Sequence, residues 1–262
     1  MKNSNGNYPD FKNILLYSVI IPVGFVGVLK LFGLILKPLE LSVDLGLFVG
    51  AIFELVIALV FFFIFRETIK KGEKHILTVK RFLFCFFYLG IPFLANGIMS
   101  FFGGELKTGI FSIIAGVLAG VAYGLTEEVV FRGVAFNKLT ENLKKSKNVY
   151  IISALLTAGV FGLCHFSNLL SQPFLAVLGQ VYFAFAAGMA FSGIYLISGT
   201  LIVPIFLHVA VDICHSLIVN DATATVNSFN FILAIFSTVL LAEGLITVIY
   251  WQKKGVKNGS AR

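Results

Sequence analysis

The sequence predicts an all-α integral membrane protein with about eight transmembrane helices and both termini in the cytoplasm. Of its 262 residues, 58% are hydrophobic and only 13% are charged, whereas a soluble domain carries about 25% charged residues. Apolar runs of about 20 residues, long enough to cross a bilayer, recur along the chain. The net charge of +7 is concentrated in the loops between these runs, which indicates membrane orientation and not nucleic-acid binding.

The first three apolar runs cover about residues 14–36, 45–65 and 82–102. The first is too long for a signal-peptide core, so we expect it to remain as a membrane helix in which Lys30 could snorkel to the interface. Glu54, inside the second run, is interpreted as a helix contact and given no role. Residues 66–81 form the most basic loop, which predicts that this loop, with its surface-exposed His75, and the N-terminus are cytoplasmic.

Five further runs follow, beginning near residue 109 and covering about 149–165, 174–197, 201–215 and 229–250. A second basic loop contains Lys138, Lys144, Lys145 and Lys147, and basic residues also follow the last run. Both features agree with the predicted orientation. We divide the chain into N-terminal helices (1–104), a core that carries the candidate site (105–220), and a final helix with a basic tail (221–262).

The fourth run combines a glycine ridge with intramembrane charges. Gly116, Gly120 and Gly124 recur every fourth residue and predict a close approach by a neighbouring helix. Glu127, Glu128 and Arg132 follow, although one charge near the bilayer centre costs roughly 2.5–3.5 kcal/mol. Glu128 and Arg132 are four residues apart, the spacing of a helical ion pair, so we interpret them as structural. Glu127 points about 100° away and is free for chemistry.

Three further polar residues lie in apolar runs on other helices. His165 ends the fifth run, at a depth in the membrane similar to that of Glu127 when both are counted from the cytoplasmic loop that joins their helices. His208 and Asp212 lie one turn apart on the seventh run and share a face with His215. Glu127, His165, His208 and Asp212 therefore form the candidate catalytic set.

These residue types suit hydrolysis. A carboxylate and an imidazole that meet at one water can deprotonate it for attack on a carbonyl, and a second histidine with a polar partner can stabilise the oxyanion. A zinc site is an open alternative, because His, Glu and Asp side chains are also zinc ligands, although the HExxH spacing is absent. Cys85, Cys164 and Cys214 lie in apolar runs without a CxxC pair and are predicted to be buried hydrophobic residues.

Three motifs resemble those of a known family. Glu127-Glu128-Val-Val-Phe-Arg132 fits EExxxR, Phe161-Gly-Leu-Cys-His165 fits FxxxH, and His208-Val-Ala-Val-Asp212 fits Hxxx(N/D). In this order, over about residues 105–220, they resemble the CPBP family of type II CAAX prenyl endopeptidases and bacterial bacteriocin-immunity or abortive-infection homologues.

The resemblance implies a role for each matching residue. Glu127 and His165 would activate water, His208 and Asp212 would lie on the oxyanion side, and Glu128 and Arg132 would organise the site. The prenyl endopeptidases look to have Asn at the position of Asp212. A carboxylate donates no hydrogen bond unless it is protonated, so Asp212 is either neutral or only orients His208.

From the residues and the resemblance we expect an intramembrane endopeptidase without a cofactor, whose site opens toward the cytoplasm. The expected partners are a peptide or protein substrate at the membrane and the lipid bilayer, with no nucleic acid and an undetermined oligomeric state. The expected location is a bacterial plasma membrane. Two other classes stay open, namely a non-catalytic immunity protein that binds a toxin or its receptor, and a proton-coupled transporter.

Overall fold

The computed structural model describes residues 10–72, 77–219 and 231–257, and these residues form eight helical rods and one short β-ribbon. The ribbon pairs β1 (Glu105–Leu106) with β2 (Ile218–Val219) in antiparallel register. In chain order the rods are α1 Phe11–Leu39, α2 Val43–Gly72, α3 over residues 79–103, α4 Ile110–Asn142, α5 Val149–Leu170, α6 Phe174–Ser198, α7 Ile202–Ser216 and α8 Phe231–Lys257.

Six segments of the described chain are long and apolar enough to cross a membrane, namely α1, α2, α4, α5, α6 and residues Ala234–Lys254 of α8. The rod over residues 79–103 is not among them, and α7, with 15 residues, is shorter than a full span. The multi-pass helical fold is therefore confirmed. The count of eight spans and the cytoplasmic position of both termini stay predictions, and His75 lies outside the described residues.

Wide π-helical turns interrupt three of the rods. In α1 and α3 they cover Leu16–Ile20 and Cys85–Gly90, each just before a proline, Pro22 or Pro92. Proline lacks an N–H group and its ring clashes with the carbonyl four residues earlier. A local widening of the helix lets the freed backbone groups find partners without water. The π-helical turns therefore account for how α1 and α3 accommodate their prolines.

The glycine ridge of α4 faces α7, as a close helix contact requires. A methyl group at Gly124 would lie 2.5 Å from the backbone nitrogen of Val209, and one at Gly116 would lie 2.8 Å from the carbonyl oxygen of Ser216. Gly120, between them, is equally close to the backbone of Ile213. The two backbones therefore run antiparallel in contact, which only glycine permits. This seam brings His208 beside the end of the ridge.

The other helices surround this pair. α2 packs on α4, α5 packs on α6, and α6 packs on α8. The last residues of α5, His165–Leu170, tighten into a 3₁₀ turn, so the helical rod continues beyond the predicted end of the fifth run at residue 165. A tight turn follows α6, with Gly199 at a φ of 72°. It connects α6 directly to α7.

Candidate active site

The acidic pair lies where α4 changes its helical form. Glu128 is the last residue of the regular helix Ile110–Glu128, and the following π-helical turns, Val129–Phe136, are buried throughout. Arg132 Nη1 donates to Glu128 Oε1 at 2.7 Å, with side chains 1% and 0% exposed. The ion pair predicted from the four-residue spacing is therefore present. Because the ion pair is buried, the removal of either partner would leave the other as an unpaired charge in the interior.

His208 connects this ion pair to α7. Its Nδ1 lies 2.8 Å from Glu128 Oε1, and because a carboxylate oxygen accepts, Nδ1 carries the proton and donates. The same oxygen thus accepts from Arg132 on its own helix and from His208 on the next. Glu128 Oε2 and Arg132 Nε have no hydrogen-bond partner within the described part of the chain.

The other ring nitrogen of His208 faces two further carboxylates. Nε2 lies 3.5 Å from Glu127 Oε2 and 3.5 Å from Asp212 Oδ2. The side chains of Glu127 and Asp212 are 25% and 19% exposed, whereas that of Glu128 is fully buried. The adjacent glutamates are therefore in different surroundings. The side chain of Glu128 is buried in the protein interior, and that of Glu127 is partly exposed.

Aromatic rings enclose His208. Phe191 stacks on the imidazole at 4.8 Å between ring centroids, and Phe93 and Phe161 meet it edge-on at 5.9 and 6.1 Å. The guanidinium of Arg132 lies over Phe161 and Phe191 at 5.0 and 5.2 Å. These rings keep water away from the buried side of the charged cluster, which strengthens every interaction within it.

His165 reaches the same region from α5 and bonds to the backbone of its own helix. Its Nδ1 lies 2.9 Å from the carbonyl oxygen of Phe161, which can only accept, so Nδ1 is the donor and Nε2 of the neutral ring has a free lone pair. The His165 ring also packs edge-on against Phe161 at 5.1 Å. Phe161 thereby contacts both histidines. No hydrogen bond or ion pair joins His165 to Glu127 among the described residues.

Two residues interpreted as peripheral in the sequence belong to this region. Glu54 of α2 is buried near Glu127 and Asp212, where like charges repel one another, and its interpretation as a helix contact stays a prediction. The amino group of Lys30 donates to Asn168 Oδ1 at 3.0 Å, three residues after His165. In the sequence, the feature that marked both residues was a charge inside an apolar run, which indicates a functional or paired residue.

The residues that the structure describes contain no group of three or more His, Cys, Asp or Glu side chains arranged to hold a metal ion. In the acidic cluster, Nδ1 of His208 is bonded to Glu128. His165 directs Nδ1 to its own backbone. The donor atoms needed for the zinc alternative therefore do not converge in this arrangement.

A comparison with protein families identifies the core of the chain. Residues 108–214 match the family described as Rce1-like, type II CAAX prenyl endopeptidase. The matched segment includes all six candidate residues and leaves α1, α2, α3 and α8 outside. No curated protein matches the chain. The family resemblance predicted from the three motifs is confirmed over these residues.

Proposed function

With this family resemblance as the premise, we propose that the protein is an intramembrane endopeptidase of the glutamate type, which hydrolyses a peptide bond with water activated by Glu127 and His165. Its substrate is a peptide or protein segment at the membrane, and the protein lies in a bacterial plasma membrane. The match to a family of CAAX-type proteases supports the reaction class.

One observation supports the assignment of roles more than any other. His208 presents Nε2 to the accessible carboxylates of Glu127 and Asp212, while its Nδ1 is held by the buried Glu128. The accessible carboxylate of Glu127 can act as a base. The imidazole of His208, which Glu128 holds at Nδ1, can act as a hydrogen-bond donor at the same place.

In the proposed reaction, Glu127 takes a proton from water while the water oxygen bonds to the substrate carbonyl carbon. His165 orients that water by accepting a hydrogen bond at Nε2, the nitrogen left free when Nδ1 donates to Phe161. Glu127 then transfers the proton to the amide nitrogen as the carbon–nitrogen bond breaks. The products are a carboxyl group and an amine, so every atom of the water is accounted for.

In this proposal, His208 stabilises the oxyanion. With Nδ1 donating to Glu128, a proton on Nε2 can be donated to the developing oxygen charge. Asp212, one helical turn later and 3.5 Å from Nε2, orients the ring and holds that proton between turnovers. Glu128 and Arg132 act only by holding His208.

The test is cleavage of a quenched peptide library by the purified full chain in lipid vesicles. Glu127→Gln and His165→Gln are compared with wild type and with Glu243→Gln, which removes an acid from α8 outside the matched segment. We expect cleavage by wild type and Glu243→Gln, with and without a zinc chelator, and none by the other two. Cleavage by Glu127→Gln would contradict the mechanism, and loss on chelation with recovery on added zinc would favour a zinc enzyme.

A further inference from the structure

A lipid-facing groove runs between α1 and α5 on the outside of the helix bundle. It encloses about 420 Å³. Val19, Val23 and Val26 of α1 and Leu163 of α5 form its apolar wall, and Lys30 and Ser167 close one end. Val23 is 49% and Leu163 is 58% exposed, so the wall faces the surrounding membrane.

The charge at the closed end lacks a counter-ion. Lys30 Nζ donates to the neutral amide of Asn168, and the described residues place no carboxylate within ion-pair distance of it. Asn168 donates to Gln180, which donates to Gln172, so the chain of hydrogen bonds behind Lys30 contains only amides. An ammonium group has three donors, which leaves two for a ligand. The hydroxyl of Ser167, beside it, makes no hydrogen bond to another described residue.

The length of the groove matches one leaflet of a bilayer. Val19 and Lys30 are eleven residues apart, which is about 16 Å along a helix. Half of the hydrocarbon core is roughly 15 Å. A headgroup at Lys30 therefore places its acyl chain along the valines and ends it near the bilayer centre, beside Val19.

We propose that this groove binds an anionic phospholipid, with one acyl chain on the valine wall and the headgroup phosphate on Lys30 and Ser167. A lysine is a suitable partner for a phosphate because it acts as a compact point charge. The ligand is a bilayer lipid, because the apolar wall is exposed and its length matches one leaflet. The inference does not depend on the proposed protease activity.

The bound lipid would also affect the candidate active site indirectly, through Lys30 and Asn168. Lys30 holds Asn168, which lies in the same 3₁₀ turn, His165–Leu170, as His165. A phosphate that fixes Lys30 therefore fixes the segment that carries this histidine. Lipid composition would then influence the position of His165 through one turn of backbone.

The experiment measures lipid binding to the full chain in detergent by native mass spectrometry and by thermal unfolding, with phosphatidylglycerol and phosphatidylcholine as probes. Wild type is compared with Lys30→Met, Lys30→Arg and Lys37→Met, the last being a lysine on α1 outside the groove. We expect wild type, Lys30→Arg and Lys37→Met to bind and be stabilised by phosphatidylglycerol in preference. Lys30→Met should bind it roughly tenfold more weakly, about 1.4 kcal/mol.

Equal phosphatidylglycerol affinity for Lys30→Met and wild type would overturn the proposal, as would equal affinity of wild type for the two lipids. If Lys30→Met does not fold, Ser167→Ala decides the question, since it removes one phosphate donor without removing a charge. Its affinity for phosphatidylglycerol must then fall. Because peptide cleavage is not measured, failure here leaves the protease proposal intact.

Discussion

His208 of α7 is bonded to Glu128 of α4 through a 2.8 Å hydrogen bond from Nδ1 to Oε1. The same oxygen accepts from Arg132, so one buried carboxylate holds a cation of its own helix and the imidazole of another. A buried network of this kind fixes the position of α7 against α4, and the loss of one member leaves a buried charge unpaired.

Removal of the Arg132 guanidinium should therefore lower the stability of the fold. In Arg132→Met, the Glu128 carboxylate stays in the interior without its partner, and we expect unfolding to become easier by about 3–5 kcal/mol. Thermal unfolding in detergent measures this change. The double variant Glu128→Gln/Arg132→Met should recover part of the loss, because it removes both charges. A double variant as unstable as the sum of the two single variants would show that the ion pair is not the cause.

The part of this network that lies within one helix was predictable from the sequence. Glu128 and Arg132 are four residues apart, and helical periodicity alone then brings their side chains together. The bond from His208 to Glu128 was not predictable, because it depends on the rotation and depth of α7 against α4. The glycine ridge indicated that a helix would approach, but not which helix it would be.

The glycine seam itself can be tested with matched alanine variants. In Gly124→Ala, the added methyl group would lie 2.5 Å from the backbone of Val209, so α7 must move away and carry His208 with it. We expect a loss of about 1–3 kcal/mol in stability and a larger proportional loss of peptide cleavage. Both are measured on the same purified sample.

Gly159→Ala is the control, because nothing lies within 4 Å of a methyl group at that position of α5. Alanine is a better helix former by about 1 kcal/mol, so this variant should be as stable as wild type or more so, with unchanged cleavage. Equal losses in the two variants would mean that intramembrane glycines matter here for a reason other than close packing.

Charges inside apolar runs were recognised in the sequence, but their partners were not. Glu54 and Lys30 each stand alone in their run, and no periodic pattern connects them to residues on distant helices. Their positions beside the acidic cluster and beside Asn168 follow from the packing of α1 and α2 around the core. Such contacts join residues far apart in the chain, so a single sequence does not reveal them.

The turn between α6 and α7 should depend on its glycine. Gly199 has a φ of 72°, a conformation that costs other residues about 1–2 kcal/mol. Gly199→Ala should lower the thermal unfolding temperature, and Gly199→Asn should lower it less, because asparagine tolerates this conformation. Both variants should keep the KM of wild type, since the turn lies nine residues before His208. Equal destabilisation by Ala and Asn would point to crowding and not to backbone strain.

Asp212 provides the sharpest test of the proposed oxyanion side. Its Oδ2 lies 3.5 Å from Nε2 of His208, where an asparagine of the same shape could still accept from the ring and could also donate to an oxyanion. We therefore expect Asp212→Asn to keep kcat/KM within about tenfold of wild type, whereas Asp212→Leu should lower kcat by at least about 10²-fold.

The comparison separates two roles for the carboxylate. If Asp212 only orients His208, the amide replaces it and the leucine does not. If the negative charge itself is required, for example to keep the proton on Nε2, Asp212→Asn should fall to the level of Asp212→Leu while KM stays constant. Thermal unfolding of both variants shows whether either loss reflects the fold. Asparagine and leucine have the same number of side-chain heavy atoms, so a difference in cleavage between equally stable variants reports mainly the hydrogen bonding to His208.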